Sequence, residues 1–304
     1  MITYLEALAA LARHGTMTRA ALELRLTQSA VSKRIAALEA ETRTRLIERD
    51  GRRVRLTSAG GELLQRAEPL LAQLRDAVAA RDEGTSGRLA VGVSESVLAS
   101  WGAPALAAAR AAVPGLDLVL HAHRSPVAVD HVRSGEYALA LVAGPGERPA
   151  DLVVEALLEE ELVIVPSGGT TPRRKARAAR RIDVLSIEPG SATGRSVARG
   201  LAVLRRDARI DVRVVGVVQS FAGLVQMARA GFGAALVPLG IAQSMGVPAR
   251  NLVRLPAPGL ARTVSLVGRK TSLSRPAAAA FADALRAALP RGDGYRILTP
   301  SRRS

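Results

Sequence analysis

Strand-like and helix-like segments alternate over much of the chain, and this alternation constrains the fold more than any other feature of the sequence. Strand-like segments lie at 89–93, 116–123 and 137–144, with helix-like segments between them at 97–112 and 127–134. The order recurs with strands at 183–187, 210–218 and 234–238 and helices at 193–206 and 220–230. Because strands separated by helices form parallel sheets, the sequence predicts two βαβαβ lobes of an α/β domain with a cleft between them. Extended segments at 161–166 and 263–268 are placed to cross between the lobes, and a final helix at 275–289 returns to the first.

The first sixty residues predict a separate, mostly helical unit. Apolar periodicity indicates helices at 3–14, 18–24 and 28–41. Thr18 and Thr27 are the expected N-caps of the second and third helices. Two helices joined by so short a turn are typical of a helix-turn-helix, and the Asp50-Gly51 turn that follows predicts a small β-hairpin.

A long helix is predicted from Ser58 to about Glu83. Apolar residues recur along it at three- and four-residue spacing: Leu63, Ala67, Leu70, Leu74 and Val78. Because no neighbouring core in the sequence would cover this apolar row, we expect it to pack against the same row on the helix of a second subunit. Pro69 is expected to kink or split the helix, and "EGTSG" at 83–87 is a flexible linker.

Composition excludes several classes of protein. The net charge is +16, but residues 1–86 carry 14 basic and 11 acidic side chains, so most of the excess lies outside the helix-turn-helix. Aromatic residues make up only 2% of the chain, which argues against base-stacking platforms for single strands, and without cysteine there are no disulfides or thiolate sites. The motifs of hydrolases, zinc proteases and P-loop enzymes are missing, so no catalytic residues, metal or cofactor are expected. No leader or long apolar run occurs, so a cytoplasmic protein without membrane contact is expected.

The order of these elements, together with one stretch of about fifty residues, resembles the LysR-type transcriptional regulators. Residues 15–64, "GTMTRAALELRLTQSAVSKRIAALEAETRTRLIERDGRRVRLTSAGGELL", follow the family pattern nearly position by position. The later region matches in layout and in fragments such as "VRSGEYALALV" and "ARAGFGAALVP". The resemblance implies a winged helix-turn-helix (1–58), a linker and dimerisation helix (59–86), a two-lobed α/β effector domain like the periplasmic binding proteins (87–290) and a C-terminal tail (291–304). Lobe I would hold about 87–162 and 267–290, and lobe II about 163–266.

The third helix carries the candidate contacts to DNA bases. Four hydrogen-bonding residues share one side of it: Gln28, Ser29, Ser32 and Lys33. A narrower stripe of Val31, Ile35 and Leu38 faces the core. Gln can pair with adenine and Lys with guanine in the major groove, so this side is suited to base readout. The alternative is the solvated side of an ordinary amphipathic helix.

Arginines around the hairpin turn are candidate phosphate or minor-groove contacts, namely Arg49, Arg52 and Arg53. Thr18, Thr27 and Arg34 are further candidates near the DNA backbone. For any single arginine of the wing, a merely solvated role is the competing interpretation.

The resemblance implies an inducer site in the cleft between the lobes. The candidate residues follow predicted strands: Ser94, Glu95, Ser96, Ser125, Ser191, Thr193, Ser220 and Phe221. Exposed amides and hydroxyls at such positions can hold an anionic group. Helix capping alone is the alternative explanation for each of them.

Two further features carry open alternatives. His121 and His123 share one face of a strand, which is consistent with a sheet surface or subunit contact, an effector contact, or a metal site. The basic run at 172–181 is either a solvated loop or an auxiliary contact with bent DNA.

The sequence thus predicts a regulator that binds double-stranded operator DNA as a homodimer or homotetramer and responds to a small-molecule effector. RNA polymerase is a further candidate partner. The competing function is an architectural DNA-bending protein without a physiological ligand.

Overall fold

The structure, a computed structural model, describes residues 1–51, 53–79, 87–144, 151–169, 181–207, 211–255 and 259–298. The chain divides into two compact units, one made of Met1–Arg81 and the short segment Arg133–Glu136, the other of Asp82–Val132 and the residues from Tyr137 onward. No helix within the described ranges is long and apolar enough to cross a membrane.

The N-terminal unit is a three-helix core followed by a hairpin and a long helix. Its elements are α1 (Ile2–His14), α2 (Met17–Leu24), α3 (Gln28–Thr42), β1 (Ile47–Asp50), β2 (Arg53–Leu56) and α4 (Ser58–Ala79). Leu8, Leu11, Ile35 and Leu38 are almost fully buried in one cluster that joins α1 and α3. Strands β1 and β2 pair antiparallel across the Asp50-Gly51 turn, as the sequence predicts.

The helix caps confirm one prediction and correct another. The Thr27 hydroxyl accepts a hydrogen bond from the Ala30 amide at 3.2 Å and caps α3. The cap of α2 is Thr16 and not Thr18, because Thr16 is extended and its hydroxyl accepts from the Arg19 amide at 3.4 Å. Since α2 begins at Met17, Thr18 already lies inside the first turn. The turn between α2 and α3 passes through Arg25 in the left-handed region.

An ion-pair cluster joins the end of α1 to α2. Arg13 and His14 both contact the Glu23 carboxylate, and His14 Nε2 lies 2.5 Å from Glu23 Oε2. Partial burial opposes ionisation of this carboxyl, but the hydrogen bonds and charges of Arg13 and His14 outweigh it and lower the pKa of Glu23. The cluster therefore fixes α2, which precedes the turn into α3.

Helix α4 begins against the hairpin and is continuous through Pro69, so of the two effects expected of this proline, a kink or a split, the split does not occur. A proline inside a helix removes a single backbone donor, and the other hydrogen bonds can carry the helix past it. Leu64 and Ala67 are buried, whereas Leu70 is 64% exposed and Leu74 is 41% exposed. The Val78 side chain lies outside the described part of the chain.

The two adjacent glycines at the start of α4 should respond oppositely to alanine. A Cβ at Gly60 would lie 2.1 Å from the Leu46 carbonyl oxygen, whereas a Cβ at Gly61 meets nothing within 4 Å. Gly60→Ala should destabilise the N-terminal unit by about 1–3 kcal/mol through overpacking. Gly61→Ala should stabilise it by about 0.5–1 kcal/mol, because glycine is a poor helix former. Urea unfolding of both variants measures the difference, and equal effects would contradict the close contact.

The C-terminal unit is built on one long, mixed sheet. Its strands are β3 (Gly87–Ser94), β4 (Leu116–His123), β5 (Leu139–Ala143), β6 (Val153–Val165), β7 (Arg181–Ile187), β8 (Asp211–Val218), β9 (Ala234–Pro238), β10 (Ala261–Gly268) and β11 (Tyr295–Ile297). Its helices are α5 (Glu95–Val97), α6 (Ala103–Ala111), α7 (Ser125–Ser134), α8 (Ala192–Asp207), α9 (Phe221–Arg229), α10 (Leu239–Ser244), α11 (Lys270–Leu273) and α12 (Pro276–Ala287). The strands follow the order β4-β3-β5-β10-β6-β9-β7-β8, and β11 pairs with β6.

Two parallel sets of strands form the two lobes. In lobe I, β3 pairs parallel with β4 and β5; in lobe II, β7 pairs parallel with β8 and β9. The antiparallel strands β6 and β10 connect the lobes at the positions predicted for crossing segments, although β6 is longer than expected. Lobe I has its own buried cluster around Leu141 and Phe281, and lobe II has another around Leu224 and Val237.

Candidate functional sites

The polar side of α3 is exposed and its apolar side is buried. Gln28, Ser29, Ser32 and Lys33 are all exposed to solvent. Val31, Ile35 and Leu38 are at most 1% exposed. The helix is therefore held by one face while the other presents two long and two short hydrogen-bonding side chains outward.

Contacts from the hairpin hold the far end of α3. Glu39 Oε1 accepts hydrogen bonds from the Leu46 amide at 2.8 Å and the Ile47 amide at 3.2 Å. These bonds tie the last turns of α3 to the first strand of the hairpin. The position of the exposed face of α3 is thus coupled to that of the hairpin.

The remaining candidates of the N-terminal unit differ in exposure. Thr18, Arg49 and Arg53 are exposed, and Arg34 is half-buried. Arg55, on the opposite face of β2 from Val54, lies 3.6 Å from Asp50 in an exposed ion pair. Arg52 lies outside the described residues. The Thr27 hydroxyl is engaged in capping α3 and also lies 3.0 Å from the Ser29 hydroxyl.

A cleft in the C-terminal unit is lined by residues from both lobes. All eight candidates from the sequence lie in it: Ser94, Glu95, Ser96, Ser125, Ser191, Thr193, Ser220 and Phe221. They come together because they lie at or after the ends of strands β3, β4, β7 and β8, whose carboxyl ends open toward the same cleft.

Capping explains some of these residues but not all. Ser191 and Ser220 accept hydrogen bonds from the Gly194 and Gly223 amides, at 2.9 and 3.2 Å, at the starts of α8 and α9. Ser94 instead accepts from the Ala143 amide at 3.3 Å, and Ser125 donates to the Ala143 carbonyl at 3.2 Å. The two lobe I serines therefore fix the end of β5 at the cleft wall.

An ion pair spans the cleft. Arg124, just after β4, contacts Glu188, just after β7, and Gln219, just after β8, donates to Glu188 at 3.0 Å. These three residues were not among those predicted for the cleft. The rule that singled out their neighbours would have found them, since each directly follows a strand.

The cleft holds charges of both signs. Arg124 and Glu188 oppose each other across it, and the exposed carboxylate of Glu95 adds a second negative charge to its lining. Hydroxyls and amides make up much of the remaining wall. Such a surface can receive a small polar molecule through several hydrogen bonds.

Behind the cleft wall lies a buried ion pair that sequence patterns did not reveal. Arg262 on β10 is 1% exposed, Glu160 on β6 is fully buried, and the closest nitrogen and oxygen are 2.8 Å apart. Arg262 also donates to the Ser96 hydroxyl at 2.8 Å. Through Arg262, the pair therefore holds Ser96, which lines the cleft.

Three histidines surround one tyrosine on lobe I. The rings of His121, His123 and His131 lie 4.7–5.8 Å from that of Tyr137, and His123 Nε2 lies 2.8 Å from the Tyr137 hydroxyl. His123 also lines the cleft. Among the described residues no group of histidine, aspartate or glutamate side chains is placed to hold a metal ion. The arrangement is that of a packed sheet surface whose edge reaches the cleft.

The basic run at 172–181 lies outside the described residues except for Arg181. That arginine pairs with Asp183 at 3.3 Å on the exposed surface of β7.

Comparison with known proteins gives matches over both units. Residues 2–61 match the family model of the bacterial regulatory helix-turn-helix protein, lysR family, and residues 82–290 match that of the LysR substrate binding domain. The transcriptional regulator GltR of Bacillus subtilis is 30% identical over 237 residues, which cover 77% of this chain and 78% of the relative.

Solved structures share the fold over almost the whole chain. A full-length variant of OxyR from Pseudomonas aeruginosa has a TM-score of 0.70 at 21% identity, covering 94% of each chain. Full-length CbnR, solved in complex with its target DNA, has a TM-score of 0.63 at 20% identity, covering 95% of this chain and 100% of the other. These relatives and neighbours are transcriptional regulators and not enzymes. The chain therefore belongs to the LysR family of transcriptional regulators, with a DNA-binding helix-turn-helix unit and an effector-binding domain.

Proposed function

We propose that the chain recognises a specific operator through α3 and the β1–β2 wing, and that a small polar effector binding between the lobes changes this recognition. The observation that carries the proposal is the division of α3 into a buried apolar face and an exposed Gln28, Ser29, Ser32 and Lys33 face. A helix held in this way can insert into the major groove with its hydrogen-bonding groups toward the base edges.

The wing supplies contacts that position the unit on DNA. Arg49 and Arg53 are exposed beside the Asp50-Gly51 turn, where guanidinium groups can reach phosphates or the minor groove. Arg55 is held by Asp50 and is the weaker candidate. Phosphate contacts fix register, whereas the α3 side chains would read sequence.

Exposed apolar residues in both units support homo-oligomerisation. Leu70 and Leu74 are exposed on α4, and a matching helix from a second copy would bury them. In the sheet, the edge strand β8 exposes Val214, Val215 and Val217, and the opposite edge strand β4 exposes Leu120. Open apolar edge strands are normally covered in the native assembly. A homodimer or homotetramer would place two α3 helices on a roughly twofold operator.

The effector is proposed to bind in the cleft that all eight candidate residues line. A ligand with groups of both charges would match Arg124 and Glu95 on the lobe I side and Glu188 on the lobe II side. We propose that the protein acts in the cytoplasm, where operator DNA and RNA polymerase are found. The polymerase would respond to the altered arrangement of the DNA-bound dimers.

A thermal-shift screen with a panel of small metabolites tests the cleft. A ligand at about 100 times its Kd should stabilise the protein by about 2.7 kcal/mol. Ala222→Trp should abolish the stabilisation, because Ala222 lines the cleft and a large ring would fill it. Ala198→Trp is the matched control, since Ala198 is exposed on α8 and is not among the lining residues.

The screen also separates the proposal from its competitor. A panel without any stabiliser would favour the architectural DNA-bending protein. Stabilisation that survives Ala222→Trp would place the ligand outside the cleft.

A further inference from the structure

The Glu160–Arg262 pair lies on the two strands that join the lobes. The two residues are direct cross-strand partners on β6 and β10. Arg262 Nε and Nη2 approach Glu160 Oε2 at 2.9 and 2.8 Å, and the Gly240 amide donates to Glu160 Oε1 at 2.8 Å. Both carboxylate oxygens are therefore occupied, one by the neighbouring strand and one by the start of α10 in lobe II.

Arg262 reaches the cleft walls of both lobes. On the lobe I side, Nη1 donates to the Ser96 hydroxyl at 2.8 Å and Nη2 to the Ser96 carbonyl at 3.1 Å. On the lobe II side, the guanidinium carbon lies 5.7 Å from the centre of the Phe221 ring, within the range of a cation–π contact. One buried side chain thus contacts Ser96 and Phe221, which line opposite walls.

A second contact between the lobes lies beside this pair. The Ser244 hydroxyl at the end of α10 donates to the Ala99 carbonyl of lobe I at 2.8 Å. Gly240 at the start of the same helix approaches so closely that a Cβ there would lie 2.7 Å from Glu160 Oε1 and 2.9 Å from the Ser100 Cβ. Helix α10 is therefore fixed at both ends against the pair and against the segment that follows α5.

Stability alone does not account for a fully buried ion pair. Removing two charges from water is costly, and apolar residues of similar volume often do as well or better. Apolar residues, however, cannot supply hydrogen bonds. The ion pair bonds Ser96 on the lobe I wall, Gly240 in lobe II and, between its own members, the two strands that connect the lobes.

We propose that Glu160 and Arg262 are positioning residues that set the relative placement of the two cleft walls. Movement of either wall would then be transmitted through the pair to β6 and β10, the strands that connect the lobes. The regulatory consequence rests on the proposed function, since it assumes that an effector moves Ser96 or Phe221. The positioning role itself does not, and it can be measured without effector or DNA.

The absence of cysteine from the chain makes a distance measurement between the lobes direct. Val127→Cys on α7 and Ala198→Cys on α8 place one spin label on each lobe at exposed positions. Co-expression with an excess of the cysteine-free chain keeps labelled copies apart, and double electron–electron resonance then gives the distribution of distances between lobes.

Glu160→Leu with Arg262→Met removes the pair without leaving an unpaired buried charge. This variant should broaden or shift the distance distribution. Arg262→Lys alone should give an intermediate result, because lysine keeps the charge but lacks the guanidinium group that bonds Glu160 and Ser96 at the same time. Glu155→Leu with Arg286→Met is the matched control, because it removes an ion pair between the same strand β6 and α12 within lobe I. The control should keep the distribution of the parent protein.

Ser96→Ala with Phe221→Leu gives a second test if the first variant fails to fold. It leaves the ion pair intact but removes the bond from Arg262 to the Ser96 hydroxyl and the cation–π contact with Phe221, so that only the bond to the Ser96 carbonyl remains. It should therefore also broaden the distribution. An unchanged distribution in a folded variant of either kind, or equal broadening in the Glu155–Arg286 control, would overturn the proposal. A changed distribution with unchanged operator binding and unchanged ligand stabilisation would support the positioning role and would count against the regulatory consequence that rests on the proposed function.

Discussion

Gln28→Ala and Lys33→Ala should each weaken binding to the operator by about 1–3 kcal/mol, roughly 5- to 150-fold, while leaving binding to unrelated DNA much less affected. Both side chains are exposed on α3, whose opposite face is held in the core by Val31, Ile35 and Leu38. Truncation at these positions therefore removes groups that can pair with bases without disturbing the helix. The loss should be larger in the double variant.

An operator for this measurement can be selected from random-sequence duplexes with the wild-type protein. The control is Gln65→Ala with Lys270→Ala, which removes the same side-chain types and the same charge from exposed positions outside α3. Fluorescence anisotropy at fixed salt gives both affinities, because salt alone changes the phosphate contribution. Equal weakening on operator and random DNA would contradict base readout and would assign Lys33 to the backbone.

Glu160→Ala should destabilise the C-terminal unit by about 3–5 kcal/mol, because it leaves a buried charge without its partner. Arg262 is 1% exposed, and the Gly240 amide would lose its acceptor at the same time. Denaturant unfolding of the full chain measures the loss. Because the chain has two units, the transition of the C-terminal unit should be followed by a probe at Trp101, the only tryptophan, which is buried in lobe I.

Glu155→Ala is the comparison for that experiment. Its partner Arg286 has a side chain that is 35% exposed, so solvent can screen the charge that remains. The expected cost is about 1 kcal/mol or less. Glu160→Leu with Arg262→Met should recover most of the stability lost in Glu160→Ala. Similar losses in the Glu155 and Glu160 variants would contradict the buried, fully engaged pair described above.

Local sequence patterns were sufficient for the elements of the N-terminal unit. The alternation of Val31, Ile35 and Leu38 with polar residues defined α3, and Thr27 marked its start, because caps and periodicity act over a few residues. The choice between Thr16 and Thr18 depended on backbone conformation around Met17. Both threonines have the required hydroxyl, so the sequence did not distinguish them.

The residues that line the cleft could be predicted from the sequence where the order of strands determines their position. Ser94 and Ser191 were found because parallel strands bring their carboxyl ends together, and the same rule applied strictly would have added Arg124 and Glu188. This rule could not identify Glu160 and Arg262. They lie about a hundred residues apart inside strands, and their pairing depends on the antiparallel register of β6 and β10, which no local pattern specifies.

Occupancy of the cleft and recognition of the operator should be coupled. Once a stabilising ligand is found, the Kd for the selected operator should be measured without it and at saturation. We expect a change of about 5- to 150-fold, or about 1–3 kcal/mol, in the operator Kd, and an equal change in ligand affinity when operator is bound, because such coupling is reciprocal. An operator Kd that stays the same while the cleft is fully occupied would contradict it.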